Sequence, residues 1–201
     1  MYCGPVPKVS QQYRDSRREH ILAAARRCFL RDGFHETSMQ DLFAESGLSA
    51  GAVYRYFASK DEMILAIAEE NMRDIVALLR ALATSPHQDG LGASLAEVLD
   101  VVRDKHAENQ FGAIALIVWA EMLRNASLAK RFDVALSRMR ADVAEVIREH
   151  QKRGDLSADA QPDALAGLVM AIVPGFIQQL TMFGTGAVEG VSDTVRTLWH
   201  G

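Results

Sequence analysis

The sequence predicts an all-α protein of about nine helices. Apolar residues recur at helical spacing along nearly the whole chain, and no run has the alternation that indicates a strand. The breaks between periodic segments fall at Gly, Pro and short polar turns. With 201 residues, 49% of them hydrophobic, the chain can build a real core in one compact unit or in two small helical ones.

The N-terminal region is predicted to be a short arm followed by one amphipathic helix. Residues 1–10 have turn residues and no periodicity, so we expect an unfolded arm. The helix is predicted over about residues 11–31, because an apolar stripe that includes Ile21 and Cys28 follows one face. Gly33 then ends it, since glycine readily adopts the left-handed conformation of a helix stop.

The next stretch, TSMQDLFAESGLSAGAVYRYF, predicts two short helices around a tight turn. Thr37 and Gln40 form a capping-box pattern at the start of the first helix, and Gly47 ends that helix. Ser49 caps a second helix, which is predicted over residues 50–57. Two short helices in this arrangement are a helix-turn-helix, whose second helix enters the major groove of DNA.

Six further helices are predicted. The fourth opens on a capping box of Ser59 and Glu62, ends by Pro86 at the latest, and is followed by a linker over residues 84–92. The others are predicted over about residues 93–108, 111–125, 127–152, 162–183 and 188–200. The sixth helix is apolar nearly all round, which is typical of a helix that is enclosed by other helices or lines a cavity. Pro174 is expected to kink the eighth.

Charge is unevenly distributed along the chain. Residues 1–60 carry nine Lys/Arg and six Asp/Glu, a net charge of +3, whereas residues 61–201 carry thirteen and twenty, a net charge of −7. A basic N-terminal third on an acidic body is expected if only that third contacts phosphate. Statistical scatter over such small counts is the alternative, so this asymmetry supports the helix-turn-helix motif and does not stand alone.

The region from Gly33 to Glu62 resembles the DNA-binding domain of the TetR family of bacterial transcriptional regulators. The shared pattern runs from Gly47 to Lys60 as Gly-x-Ser-x-Gly-x-x-Tyr-x-Tyr-Phe-x-x-Lys, and Gly-Phe and Thr-Ser pairs precede it. The resemblance covers roughly the first third of the chain. Phe43 departs from the pattern, because relatives often carry a small residue such as Ala there. We expect the large ring to alter how the two short helices pack.

The resemblance implies a division into an arm (1–10), a DNA-binding domain (11–60) and a ligand-binding and dimerisation domain (61–201). It implies DNA contacts from Thr37, Ser38, Ser49, Ala50, Gly51, Tyr54, Arg55, Tyr56 and Lys60. Independent physical reasons support two of them: Gly51 allows close backbone approach, and Arg55 can bind both guanine acceptors in the major groove. The alternative for the tyrosines is a half-buried structural role.

The resemblance further implies a cytoplasmic homodimer, usually a repressor, that a small molecule releases from operator DNA. Apolar and methionine-rich positions, with a few polar ones, are the candidate ligand contacts: His106, Asn109, Phe111, Trp119, Met122, Met139, Met170, Phe176 and Gln179. Each of them has ordinary core packing or a surface role as its alternative. Charged residues are scarce at the inward positions, so a mostly apolar effector is expected.

The dimer interface is predicted on the last two helices, because their apolar stripes exceed what one chain buries and two such pairs form a four-helix bundle. Its candidate residues are Gly167, Ala171, Gly175, Val191, Val195 and Leu198. Small residues four apart on the eighth helix permit close helix contact.

The main alternative is a helical small-molecule-binding or catalytic protein without DNA binding. The sequence has no metal-binding His pair at helical spacing and no Gly-rich phosphate loop. We therefore expect no catalytic site, no metal and no cofactor. No membrane segment is expected, because no stretch reaches about 18 consecutive apolar residues. An activator or a regulator that responds to no ligand, with the same fold, is the third possibility.

Overall fold

The computed structural model describes residues 11–83 and 90–198. These residues form helices without any strand, so the predicted all-α class is confirmed for the described chain. The α-helices are α1 (Gln11–Asp32), α2 (Met39–Ser46), α3 (Ala50–Tyr54), α4 (Lys60–Ala83), α5 (Gly90–Asn109), α6 (Phe111–Arg124), α7 (Ala126–Arg153), α8 (Pro162–Phe183) and α9 (Val191–Leu198). A 3₁₀ turn, Thr185–Val188, precedes α9.

The chain divides into two compact units, Met1–Ile67 and Ala68–Gly201, which we call the head and the body. The division falls after Ile67 and not after residue 60, so the head includes the first two turns of α4. Met63, Ile64 and Ile67 are fully buried there, which shows that these turns are core and not a linker.

The head is built on α1, which packs against α2, and α2 contacts α3. The buried face of α1 includes Ile21, Cys28 and Phe29, as the apolar stripe predicts. Phe34 follows the Gly33 turn and places its ring 5.2 Å from that of Phe29, so the chain re-enters the core immediately after the helix ends.

The start of α2 differs from the prediction by one residue. Ser38, not Thr37, is the N-cap, and it forms a reciprocal capping box with Asp41. The Thr37 hydroxyl instead donates to the carbonyl of Gly33 at 2.7 Å. Backbone groups at the ends of a helix lack partners within the helix. The Ser38 hydroxyl pairs with such a group at the start of α2, and the Thr37 hydroxyl pairs with one after the end of α1. A shift of one residue in where α2 begins decides which of the two hydroxyls caps it.

Helix α3 is also shorter than predicted and ends at Tyr54. The amides of Tyr56 and Phe57 both donate to the carbonyl of Val53, so the chain closes into a tight turn. This turn brings Phe57 into the core, where 4% of it is exposed. The chain therefore buries the Phe57 ring in the core and does not continue α3 for another turn.

Helix α5 packs against α6, α8 and α9, and α8 also packs against α6 and α7. The shared core includes Leu95 and Leu99 of α5, Ile147 of α7 and Phe176 of α8. Helix α8 has the length and composition of a membrane-crossing helix, with a mean hydropathy of 1.6, but such a helix is equally typical of a protein core. Its buried residues belong to this core.

Two boundaries of the body differ from the prediction. Helix α5 begins at Gly90, so residues 90–92 of the expected linker are helical, and residues 84–89 lie outside the described chain. Helix α9 begins at Val191 and not at 188, because Gly190 has a left-handed φ of 72° and breaks the chain away from the preceding 3₁₀ turn. The predicted arm and the last residues, 199–201, also lie outside the described chain.

His150 is a fully buried imidazole near the end of α7. Its Nδ1 lies 3.0 Å from Asp155 Oδ2, and its Nε2 lies 3.5 Å from the hydroxyl oxygen of Ser94. Gly154 adopts a φ of 86°, which turns the chain so that the amide of Asp155 donates to the carbonyl of His150. Burial lowers the pKa of His150, since desolvation of the charged ring outweighs the hydrogen bond with Asp155, which raises it.

We expect this histidine to make stability depend on pH. The unfolded chain takes up a proton at His150 near pH 6.5, but the folded chain does so only at lower pH, so stability falls as pH drops below about 6.5. The difference in melting temperature between pH ~7.5 and ~5.5 should therefore be smaller in His150→Gln than in the wild type. An exposed-histidine control, His35→Gln, should keep the full difference. An unchanged pH dependence in His150→Gln would contradict this assignment.

Candidate DNA-binding surface and effector cavity

The first turn of α3 and its flanking residues form an exposed surface on the head. We call Ser49, Ala50, Gly51, Tyr54 and Arg55 the α3 surface, and all five are exposed. The Ser49 side chain caps α3 by accepting from the amide of Ala52 at 3.4 Å. A Cβ built on Gly51 would meet nothing within 4 Å, so its backbone is open to an approaching partner.

Tyr54 is held in place by the unusual Phe43. The two rings lie 5.4 Å apart at 69°, an edge-on contact between α2 and α3. Half of Tyr54 remains exposed, so the residue combines the predicted surface role with the alternative role of a packing strut. The neighbouring Tyr56 is half-buried. The large ring of Phe43 on α2 therefore packs against Tyr54 of the α3 surface.

Arg55 is the basic side chain of the α3 surface. It forms no hydrogen bond or ion pair with any described residue of the protein. Arg27 and Arg31 of α1, in contrast, pair with Glu45 of α2 at 2.6 and 3.0 Å. Their hydrogen bonds hold the pKa of Glu45 below its ordinary value. These two arginines tie α1 to α2, whereas the donors of Arg55 are available to a ligand.

The hydroxyl groups of Thr37 and Ser38 are already engaged. Thr37 is only 1% exposed and donates to Gly33, so its hydroxyl is engaged within the head, and its contact with phosphate stays a prediction. Ser38 is exposed, but its hydroxyl donates to Asp41 at 2.6 Å. Hydrogen bonds from Ser38 lower the pKa of Asp41, so a phosphate near Ser38 would meet a carboxylate. The cap of α2 thus uses the Ser38 hydroxyl, and the Thr37 hydroxyl pairs with the loop after α1.

Lys60 is a clamp inside the head. Its ammonium donates to the carbonyls of Phe34, His35 and Thr37 at 2.6, 3.0 and 2.9 Å. The same nitrogen lies 4.7 Å from the centre of the Phe34 ring. An ammonium has three protons, so these carbonyls use all of them. Lys60 therefore joins the start of α4 to the loop between α1 and α2, and its contact with phosphate stays a prediction.

The body contains a cavity of about 440 Å³. Residues from α4, α6, α7 and α8 line it, and most of them are apolar. Five of the predicted ligand contacts are among them: Phe111, Trp119, Met122, Met139 and Met170. A cavity of this size and lining is typical of a small-molecule site.

The other predicted ligand contacts lie elsewhere. Phe176 is buried in the core of the body, and Asn109 and Gln179 are exposed. His106 sits at the α5–α6 junction, where its Nδ1 accepts from the amide of Gly112 at 3.1 Å. Periodicity could not separate these positions from the cavity, because a helix residue one position away points to another side.

Sequence reasoning missed the contribution of α4 and of one charged residue. Asn71, Met72, Ile75 and Leu79 of α4 line the cavity, as does Arg140 of α7. The signal for the α4 residues was their apolar stripe, which the sequence alone could only assign to core. Nothing in the sequence marked Arg140, since it lies on the largely charged side of α7.

The predicted dimer residues are also divided by the structure. Gly167 and Ala171 line the cavity. Val195 is buried in the core of its own chain, and Val191 packs against that core. Val191 and Val195 face the protein's own interior because α9 packs on α5, whereas Gly167 is partly buried and Ala171 is exposed.

Gly175 and Leu198 do remain available on the surface of the body. A Cβ on Gly175 would meet no atom within 4 Å, and 73% of Leu198 is exposed. Leu168 and Met182 are exposed on α8 as well. Leu168, Gly175 and Met182 are seven residues apart, so they share one face of the helix. The open stripe of α8 therefore shares Gly175 with the predicted one but otherwise passes through Leu168 and Met182.

Comparisons with known proteins agree with this architecture. The profile of bacterial regulatory proteins of the tetR family matches residues 21–67, and the profile of the BetI-type transcriptional repressor C-terminal domain matches residues 93–199. The uncharacterized HTH-type transcriptional regulator YfiR of Bacillus subtilis is 30% identical over 94% of this chain and 93% of its own. The chain belongs to the TetR family.

Two further relatives support the same assignment. The HTH-type transcriptional repressor AcnR of Corynebacterium diphtheriae is 28% identical over 95% of both chains. The structure of GusR from Salmonella enterica superposes with a TM-score of 0.79, at 26% identity and 96% coverage of both chains. This TetR-family protein is a DNA-binding transcriptional regulator, so the predicted resemblance and its main functional consequence are confirmed.

We expect Lys60 and Arg55 to separate folding from DNA recognition. Lys60→Ala removes three charge-assisted hydrogen bonds and should destabilise the head by about 2 kcal/mol. Arg55→Ala removes no contact within the described protein and should leave thermal stability unchanged. It should weaken binding to the operator by roughly 1–3 kcal/mol while changing binding to random DNA much less.

Thermal melts and fluorescence anisotropy with operator and scrambled duplexes measure both effects. The clamp assignment fails if Lys60→Ala melts like the wild type and only reduces the salt dependence of DNA binding. The Arg55 assignment fails if that variant discriminates operator from scrambled DNA as well as the wild type does.

Proposed function

We propose that this protein is a cytoplasmic, homodimeric repressor that a small, largely apolar molecule releases from a palindromic operator. The observation that carries the proposal is the apolar cavity of about 440 Å³ in the body of a helix-turn-helix regulator. Repression is further supported by the C-terminal profile of a transcriptional repressor and by the relative AcnR, which is named a repressor.

Recognition of DNA is assigned to the α3 surface. Arg55 has free donors for a guanine edge, and Gly51 allows the backbone to approach the groove. One such surface reads only a few base pairs, which is too few for useful specificity. A two-fold dimer doubles these contacts, so we expect the operator to be an inverted repeat. Protection of a single asymmetric half-site in footprinting would contradict this expectation.

The chemistry of the cavity favours an apolar effector. Side chains such as Phe111, Val118, Phe132 and Ile177 offer no hydrogen bonds, and no Asp or Glu is among the described residues that line the cavity. Its methionines, Met122 among them, can adapt to ligands of different shapes. Burial of the ligand's apolar surface supplies most of the binding free energy in such a site.

Helix α4 is the element through which we propose that the ligand acts. Its later turns carry Met72, Ile75 and Leu79 on the cavity wall, and its first residue is the Lys60 clamp. A ligand that displaces the wall shifts the same helix that holds the loop before α2. Half-sites on DNA are about 34–36 Å apart, so a change of a few ångströms between the two α3 surfaces of a dimer weakens binding.

Two alternative functions can each be distinguished from a repressor by a direct measurement. A helical ligand-binding or catalytic protein without DNA binding would show no anisotropy change with DNA taken from upstream of its own gene. An activator would bind that DNA but raise transcription when it is added to a purified transcription system, whereas a repressor would lower it.

We expect the dimer interface to include the C-terminal end of α9. Leu198→Glu introduces a carboxylate that dimerisation would bury, and it should raise the dimer dissociation constant at least about tenfold and weaken operator binding with it. Leu123→Glu is the matched control, because Leu123 is 90% exposed on α6. Sedimentation velocity at several concentrations measures the effect. An interface elsewhere is indicated if Leu198→Glu remains as dimeric as the control.

We expect a bulky side chain in the cavity to block induction. Ala171 lines the cavity and is not buried in the core, so we expect Ala171→Phe to occupy ligand space without overpacking the core. The variant should bind operator normally but need at least about tenfold more effector for release. Ala164→Phe, an exposed position of α8 outside the lining, is the control. A thermal-shift screen of apolar compounds identifies effectors first. Induction through this cavity is excluded if effectors act equally on both variants.

A further inference from the structure

Arg140 is the one charged side chain among the described residues that line the cavity. It lies on α7 and is exposed, so it stands where the cavity meets solvent. Its one described hydrogen bond is a donation from Nη2 to the main-chain carbonyl of Asp163 at 3.3 Å. Within residues 11–83 and 90–198, no carboxylate lies within ion-pair distance of its guanidinium. The positive charge therefore has no counter-charge in the described protein.

A glycine on α8 gives the guanidinium its position. A Cβ added to Gly167 would lie 3.0 Å from Arg140 Nη2, which is closer than ordinary contact. The absence of a side chain at 167 thus lets the guanidinium lie against α8 at the edge of the cavity, with most of its donors unused. This accounts for a small residue that the sequence assigned to the dimer interface.

The remaining polar groups of the lining are mostly donors. The indole of Trp119 has an N–H and no acceptor, and the amide of Asn71 has both. With no Asp or Glu in the lining, the site has several donors, a full positive charge and few acceptors. A ligand head group that complements this set accepts hydrogen bonds and carries a negative charge.

We propose that the effector is an amphiphilic monocarboxylate, an apolar body with one carboxylate that pairs with Arg140. This inference rests on the proposed role of the cavity as the effector site. A carboxylate matches the two parallel donors of a guanidinium and binds it in bidentate geometry. The apolar body then lies between Phe111 of α6 and Met170 of α8.

Arg140 and the apolar walls of the cavity disfavour ligands that are cationic, carry several negative charges or are neutral. A cationic amphiphile places its charge beside Arg140 and is repelled. A polyanion leaves its further charges against apolar walls, where no described donor set pairs with them and desolvation is costly. A neutral apolar molecule can occupy the cavity but leaves the guanidinium without a partner, so it binds more weakly than the matching carboxylate.

Two matched ligand sets test this preference by isothermal titration calorimetry with the full-length protein. One is octanoate, octanamide and octylamine, and the other is 4-phenylbutanoate and its amide. We expect at least one carboxylate to bind about tenfold more tightly than its amide, and octylamine to bind most weakly. Failure of both carboxylates to bind, or equal binding by carboxylate and amide, overturns the proposal.

Arg140→Gln is the decisive variant, because it keeps a polar side chain of similar length without the charge. It should lose about tenfold in affinity for the carboxylate and leave the affinity for the amide unchanged. Arg138→Gln is the matched control, two residues away on α7 and outside the cavity lining. Equal losses in both variants would indicate a general surface-charge effect and overturn the pairing with Arg140.

Operator release in the same titrations distinguishes this inference from the proposed function. If carboxylates bind through Arg140 but never release operator, the chemical class is correct and the proposed induction is wrong. If amides or other neutral compounds release operator as well as carboxylates do, and Arg140→Gln responds like the wild type, induction is correct and the carboxylate proposal is overturned.

Discussion

The contact on which the head depends is the ammonium of Lys60 against three main-chain carbonyls of the loop between α1 and α2. That loop begins at a left-handed glycine, Gly33, and would otherwise expose unpaired carbonyls beside a hydrophobic core. One side chain satisfies them and joins the start of α4 to the start of α2. The placement of the helix-turn-helix therefore rests on a lysine whose residue type alone suggests a phosphate contact.

Folding and recognition draw on different polar groups of the head. Thr37, Ser38 and Lys60 are engaged by the protein's own backbone and carboxylates, and Arg31 pairs with Glu45. Arg55 and the backbone of Gly51 remain open. The basic charge of the N-terminal third thus overstates the cationic surface available to DNA, because part of it neutralises neighbouring carboxylates. This division gives each basic residue a separate, measurable role.

The helices that form the core of the body also form the walls of the cavity. Its walls come from four helices whose buried faces also form the body's core, so the ligand space is continuous with ordinary packing. What distinguishes the site chemically is a single guanidinium at its edge and the absence of acidic groups in its lining. Apolar walls provide affinity without strong selectivity, whereas one charge selects the sign and the orientation of the ligand.

Local chemistry in the sequence was enough to determine the class of fold, the nine α-helices of residues 11–83 and 90–198, and the helix-turn-helix. Helical periodicity and stop signals such as Gly47 and Gly154 act over a few residues, so their effects are visible without a structure. The pattern from Gly47 to Lys60 also indicated the TetR family, because it combines a turn, a cap and aromatic residues at a fixed spacing.

The tertiary structure alone decided which side of each helix faces the cavity, the core or the surface. Arg140 enters the cavity lining because α7 packs on α8 beside a glycine, and Val195 is buried because α9 packs on α5. Lys60 finds its carbonyls across 23 to 26 residues of sequence. A periodic pattern marks an apolar stripe but not the partner that covers it, since that partner is chosen by contacts between residues distant in the chain.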